Sequence, residues 1–260
     1  MILRKAFNKK LDAKAWLVIS DVHAPYHDTN AFDAVCSFAK DFDFDGCVIN
    51  GDFMDFFPIS SHNKGSLALL QGKSMKKEYE AGRKLLKQLR SAVKGDIVYI
   101  DGNHEHRLDR WLASADNAVW SDELTLENGL RFKDFDIKHA GKYPDAFYKL
   151  GHLYVTHGTA GGDTPAKKHL MDYKVNILTG HLHTPQMYYG ATFGHPIASF
   201  VSGHLMDETS EAAKYIKAVN RWCKGFSIVY VRPNGEFNVQ LIQFWNGVFF
   251  YGGRQYGVSS

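Results

Sequence analysis

Unbroken apolar runs that stop abruptly in small or polar residues recur along the first two thirds of the chain: AWLVIS at 15–20, GCVIN at 46–50, IVYI at 97–100, LYVTHG at 153–158 and VNILTGH at 175–181. Runs without alternation are what strands covered on both faces look like, so they predict parallel strands joined by helical crossovers. Helical spacing fits 30–41, 74–92 and 164–172, the last opening on Thr164 and Pro165, which suit an N-cap and a first turn. In 74–92 the residues Tyr79, Gly82, Leu85, Leu86, Leu89 and Val93 recur near the helical period, while Lys76, Lys77, Lys84, Lys87 and Arg90 fall around the other faces. Beyond Gly190 the texture turns aromatic and β-branched, and the Asn-Gly inside RPNGEF predicts a hairpin. Residues from about 190 to 260 are therefore expected to complete a second sheet that packs on the first within a single domain, 1–260.

Composition narrows the class. A chain of 260 residues, 45% hydrophobic and 14% aromatic, can supply one substantial core. Its three cysteines form no Cys-x-x-Cys, which disfavours a thiolate metal site and favours a reducing compartment. No stretch approaches the roughly 18 apolar residues of a membrane span, so a cytoplasmic protein without a membrane partner is expected. The net charge of +3 is too small to identify a polyanion ligand, but nine Lys or Arg between Lys64 and Lys94 face only Glu78 and Glu80. That segment reads either as a solvated amphipathic helix or as a rim that attracts a polyanion.

Chemistry-bearing residues cluster where the strand candidates end. Asp21 and His23 lie in SDVH, Asp52 and Asp55 in GDFMD, Asn103 and His104 in GNHEHR, His157 in VTHG, and His181 and His183 in GHLH. Carboxyl ends of neighbouring strands converge on one crevice, so residues distant in sequence can meet there. Three carboxylates, one amide and five imidazoles exceed what one tetrahedral site uses. They can fill two larger shells bridged by a carboxylate, and mixed oxygen and nitrogen donors without thiolate fit Mn, Fe, Ni, Co or Zn better than Mg or Ca.

Taken together, DVH at 21–23, GDFMD at 51–55, GNHE at 102–105, the separate His157 and GHLH at 180–183 resemble the calcineurin-like metallophosphoesterases over roughly residues 15–190. The resemblance implies an α/β chain (α+β in some schemes) folded as a four-layer αββα sandwich of two mixed sheets flanked by helices. It implies two divalent metal ions, Mn foremost, and hydrolysis of a phosphoester. Carried over residue by residue, Asp21, His23 and His183 would hold one ion, Asn103, His157 and His181 the other, and Asp52 both. His104 would face the scissile phosphate with Asp55 orienting its ring. Read on its own, the neighbouring Glu105 either supports a ligand or pairs with Arg107.

The protein-phosphatase branch follows its Gly-Asp-x-x-Asp with Arg-Gly, whereas this chain has Phe56 and Phe57. Arg107, Phe56, His27, His62 and Lys167 are the candidate substrate contacts, with the glycine-rich HGTAGGDTPAKKH a candidate anion-facing loop. A phosphodiester, in a nucleotide or nucleic acid, is the preferred substrate. A phosphomonoester or a Ser/Thr phosphoprotein is the alternative, and a protein-binding scaffold the alternative of another class. The aromatic FWNGVFFYGG at 244–253 offers a homodimer surface.

Overall fold

A computed structural model describes residues 12–63, 65–114, 116–120, 123–214 and 220–259. Six strands form the first sheet, in the order β11 (Phe237–Gln243), β10 (Gly225–Val231), β1 (Lys14–Ile19), β2 (Gly46–Asn50), β3 (Asp96–Ile100) and β4 (Ile137–Gly141). The four strands β1 to β4 are parallel, and β10 runs antiparallel to β1. The second sheet orders β5 (Tyr148–Leu150), β6 (Leu153–Val155), β7 (Ile177–Thr179), β9 (His195–Val201) and β8 (Gln186–Thr192). A two-stranded ribbon, β12 (Val248–Tyr251) with β13 (Arg254–Gly257), stands apart. The helices are α1 (Thr29–Phe42), α2 (Leu67–Leu70), α3 (Met75–Ala92), α4 (Asn103–Leu112), α5 (Leu126–Leu130) and α6 (Pro165–Tyr173). No helix among the described residues is long and apolar enough to cross a membrane.

Strand pleating divides the core in two. Leu17, Ile19, Cys47, Ile49, Ile97 and Tyr99 point from the first sheet toward Phe32, Phe38, Leu85, Leu86 and Leu89 of α1 and α3. Their alternates Trp16, Val18, Val48, Val98 and Ile100 meet Leu153, Val155, Leu178 and Phe200 of the second sheet. Fully burying each such side chain stabilises by about 1.5–3 kcal/mol before chain entropy is charged against it. Helix α6 covers the far face of the second sheet, where Leu170 sits close to Gly190 of β8. The result is a mixed α/β fold of two sheets flanked by helices, as the resemblance implies.

The hairpin around Asn234-Gly235 forms, closed by Arg232 N–H to Glu236 O at 2.8 Å. Its sheet is not the expected one. Strands β10 and β11 extend the first sheet beside β1, and of the strands after Gly190 only β9 and the end of β8 belong to the second. Phe226–Val229 is buried on both faces, as an interior strand is, and a run without alternation does not say which edge it joins. The C-terminal aromatics are largely used inside the chain: Phe249 stacks on Tyr256 and meets Phe38 of α1, while Trp245 and Phe250 stay exposed. At the start of α6 Pro165 takes its expected place, but Thr164 makes no side-chain cap.

Helix α3 bears out the amphipathic reading of 74–92. Its positive groups are partly occupied, since Arg83 donates to Gly129 O, Arg90 caps the carbonyls of Val93 and Gly95, and Lys76 faces Glu80.

Candidate metal centre

All five motif segments leave the carboxyl ends of β1, β2, β3, β6 and β7 on the same side. Pairing continues past the strands: Asp21 N–H donates to Gly51 O at 3.1 Å, His23 N–H to Asp52 O at 2.9 Å, and Gly180 N–H to His157 O at 3.0 Å. This stitching aligns the loops within each sheet, and the two sets meet where His181 N–H donates to Asp21 Oδ2 at 3.0 Å. It leaves Asp21, His23, Asp52, His181 and His183 with φ between 50° and 74°, in the left-handed region that non-glycine residues rarely occupy. Gly51, at φ 78°, and Gly102 let the loops close, because a Cβ at Gly51 would lie 2.4 Å from His157 Nδ1 and one at Gly102 2.2 Å from Asp52 Oδ1.

Three groups of possible ligand atoms result, Asp21 with His23 and His183, His23 with Asp52 and His104, and Asp52 with His157 and His181, the atoms of each within 4.8 Å of one another. His183 Nε2 is 3.2 Å from both Asp21 Oδ1 and His23 Nε2. His157 Nε2 is 3.2 Å from Asp52 Oδ2 and 3.1 Å from Asn103 Oδ1, while its Nδ1 donates to Asn50 O at 2.9 Å and so turns Nε2 inward. Asp52 accepts from His104 N–H at 2.8 Å, at the amino end of α4, where the helix dipole favours an anion.

Electrostatics fit divalent cations. Burial works against the Asp21 and Asp52 carboxylates, yet the charges of His183 and His157 respectively outweigh it and hold both below the usual range. Burial likewise disfavours the His157 cation, and Asp52 overrides it, lifting the imidazole to about 10. Two buried anions thus demand positive charge, which a divalent cation supplies while leaving ring nitrogens free to ligate. His181 is kept neutral by burial, its pKa lowered to about 4, and its Nδ1 has no hydrogen-bond partner among the described residues.

Asp55 reaches two rings, His23 Nδ1 at 3.1 Å and His104 Nδ1 at 3.3 Å, and its backbone carbonyl lies 2.9 Å from the same His104 nitrogen. His104 Nε2 faces Arg107 Nη2 at 2.9 Å. His104 also falls within reach of a ligand cluster, where the resemblance places it outside the metal shell.

Other candidate contacts are placed elsewhere. Phe56 is wholly buried, its left-handed backbone turning the ring under α3 against Tyr79, so it does not stand at the mouth. Phe57 is buried beside Tyr26. His27 packs on Phe32 of α1 and belongs to none of the ligand groups. Lys167 lies exposed over Tyr188 of β8. The side chain of His62 lies outside the described residues. The glycine-rich loop is pinned by buried His169, whose Nε2 accepts from Thr159 and Ala160 N–H at 3.3 and 3.2 Å.

Glu105 takes the supporting one of its two expected roles, and two further residues stand beside the site without a sequence signal. Glu105 does not pair with Arg107; its carboxylate accepts from the N–H of Asp52, Met54 and Gly102 at 2.9, 3.0 and 2.8 Å and from Tyr99 Oη at 2.7 Å. His204 stacks on His183 at 4.8 Å, and Trp222 closes on His183 at 4.0 Å. Glu105 had a spacing cue, three residues into a helix after Gly102; His204 and Trp222 had none.

Among known proteins, the chain is 29% identical over 240 residues to the Gene 54 protein of Mycobacterium phage D29, covering 85% of this chain and 91% of that one. It is 26% identical over 262 residues to the Gene 54 protein of Mycobacterium phage L5, covering 95% and 100%. Among solved structures, Vps29 of Entamoeba histolytica complexed with zinc covers 91% of this chain and 96% of its own at 13% identity, with a TM-score of 0.44, too loose a likeness to carry an argument. The family model described as calcineurin-like phosphoesterase matches residues 16–185, which takes in every one of the five motif segments and more than half the sequence, and the chain belongs to that family.

Proposed function

We propose that this metal-dependent phosphoesterase hydrolyses phosphodiesters, in nucleotides or nucleic acid, with Mn²⁺ its preferred pair of ions. Asp21, His23 and His183 would hold one ion and Asn103, His157 and His181 the other, with Asp52 between them. Bound there, the ions supply Lewis acidity at the phosphoryl oxygens and an activated nucleophile at neutral pH.

The observation that carries the diester reading is that two separate concavities lie next to the cluster, one adjoining His104 and one adjoining His183. One, of about 580 Å³, begins at Arg107 beside His104. The other, of about 260 Å³, is lined by Leu182, Thr184 and Trp222 beside His183. A diester carries two substituents and uses both; a monoester needs one. Three unpaired cysteines support a reducing, cytoplasmic setting.

His104 is the chain's proton donor to the leaving oxygen in this reading. Burial opposes its charged form, and the Asp52 and Asp55 carboxylates outweigh burial, so its pKa is raised. Asp55 holds Nδ1, which leaves Nε2 to donate. Arg107 occupies Nε2 and must yield to the incoming ester oxygen, becoming available to a phosphoryl oxygen as it does so.

A Mn²⁺ assay comparing bis(p-nitrophenyl) phosphate, p-nitrophenyl phosphate and single- and double-stranded nucleic acid tests the reading. Diester turnover with salt-sensitive cleavage of nucleic acid is expected, and efficient monoester turnover with inert diesters overturns it. His104→Ala should slow alkyl leaving groups on the order of 10²-fold and activated aryl ones less, because the latter need no proton.

A further inference from the structure

We propose that the cleft beside Arg107 binds the leaving-side nucleotide, its base against Trp111 and its next phosphate on Arg110, an assignment that rests on the phosphodiester reading. The cleft's lining includes Pro58, Ile59, Arg107, Arg110, Trp111 and Asn117. Its volume of about 580 Å³ falls within the roughly 300–1,000 Å³ of small-molecule sites. Arg107 belongs both to this cleft and to the reacting centre, since it touches His104 Nε2. The cleft therefore begins where the leaving oxygen departs.

Helix α4 sets out the contacts in order. His104, Arg107 and Trp111 share one face at helical spacing, and Arg110 stands about 9 Å along the axis from His104. Arg110 is exposed and has no ion pair or hydrogen bond among the described residues. That sets it apart from Arg83, Arg232 and Arg254, which are tied to Gly129 O, Glu236 and Asp41. Trp111 packs on the core while also lining the cleft, so its ring is held rigid against anything that enters. Its indole N–H has no partner among the described residues. Two arginines face a single acid in the lining, Asp116. A rigid indole beside an unengaged guanidinium is the pairing that recognises a base and a phosphate together.

The test measures kcat/KM on trithymidylate and on two analogues, one abasic at the leaving-side position and one with an uncharged methylphosphonate at the linkage beyond the scissile bond. Wild type should lose about ten-fold or more on removal of the base. Trp111→Leu should lose a similar factor on the full substrate and then no longer distinguish the abasic one. Arg110→Gln should likewise no longer distinguish the methylphosphonate, and its salt dependence should be shallower by about one unit of slope. Analogue losses that are as large in the variants as in wild type would overturn the assignment. Should Trp111→Leu fail to give a native melting transition, surface-exposed Arg110→Gln decides alone. Wild-type hydrolysis of monoesters with no diester turnover would show instead that the diester reading has failed, and the inference with it.

Discussion

Glu105 ties the end of β3, the loop after β2 and the start of α4 to a single carboxylate, through three backbone N–H groups and the Tyr99 hydroxyl. Burial and then the Asp52 charge press it toward neutrality, raising its pKa to about 7, and each donor it accepts stabilises the anion against that pressure. Glu105→Gln keeps the shape but turns an amide N–H₂ toward a donor. The expected cost is about 2 kcal/mol in urea unfolding, with metal affinity by calorimetry weaker by about 10- to 100-fold. Unchanged metal affinity would mean that the carboxylate serves the fold alone. At this scale the seven proposed ligands were legible in the sequence because each motif places its residue just past a strand end. Phe56 was misread because nothing in FF says that the backbone turns left-handed there and carries the ring inward. His204 and Trp222 reach the site only through tertiary return of the chain.

Among the elements, α3 carries a buried acid on its core-facing side. Glu78 accepts from Phe57 N–H at 3.1 Å, and its other oxygen has no partner among the described residues. Burial, then the nearby Asp55 charge, raises its pKa from 4.5 to about 9. The folded state therefore binds a proton that the unfolded chain releases above about 4.5, and stability falls as pH rises from there through about 9. Glu78→Gln keeps the acceptor for Phe57 without the titration. At pH 8 it should unfold with a gain on the order of 1–2 kcal/mol over wild type, shrinking toward pH 5. A constant difference across that range would refute the assignment. Strand and helix positions were readable because periodicity is local. Sheet membership was not, because the Phe226–Val229 run suits an interior place in either sheet.

For the whole molecule, the proposed ligands come from both sheets, so cations bound there would cross-link the sandwich. Unfolding disperses them, and binding to the folded state alone should stabilise by about 2.7 kcal/mol at a hundred-fold excess over Kd. Mn²⁺ should raise Tm, EDTA should reverse the rise, and Asp52→Asn should abolish most of it. A Tm indifferent to Mn²⁺ would show that these residues do not hold Mn²⁺.

Five of the proposed ligands adopt a backbone shape that glycine takes far more readily. Each such position stores strain on the order of 1 kcal/mol or more, held down by the surrounding chain. Heat tolerance and turnover therefore pull these codons in opposite directions. A lineage released from the need to cleave anything would drift toward glycine and asparagine at Asp21, His23, Asp52, His181 and His183, growing sturdier as it grew inert.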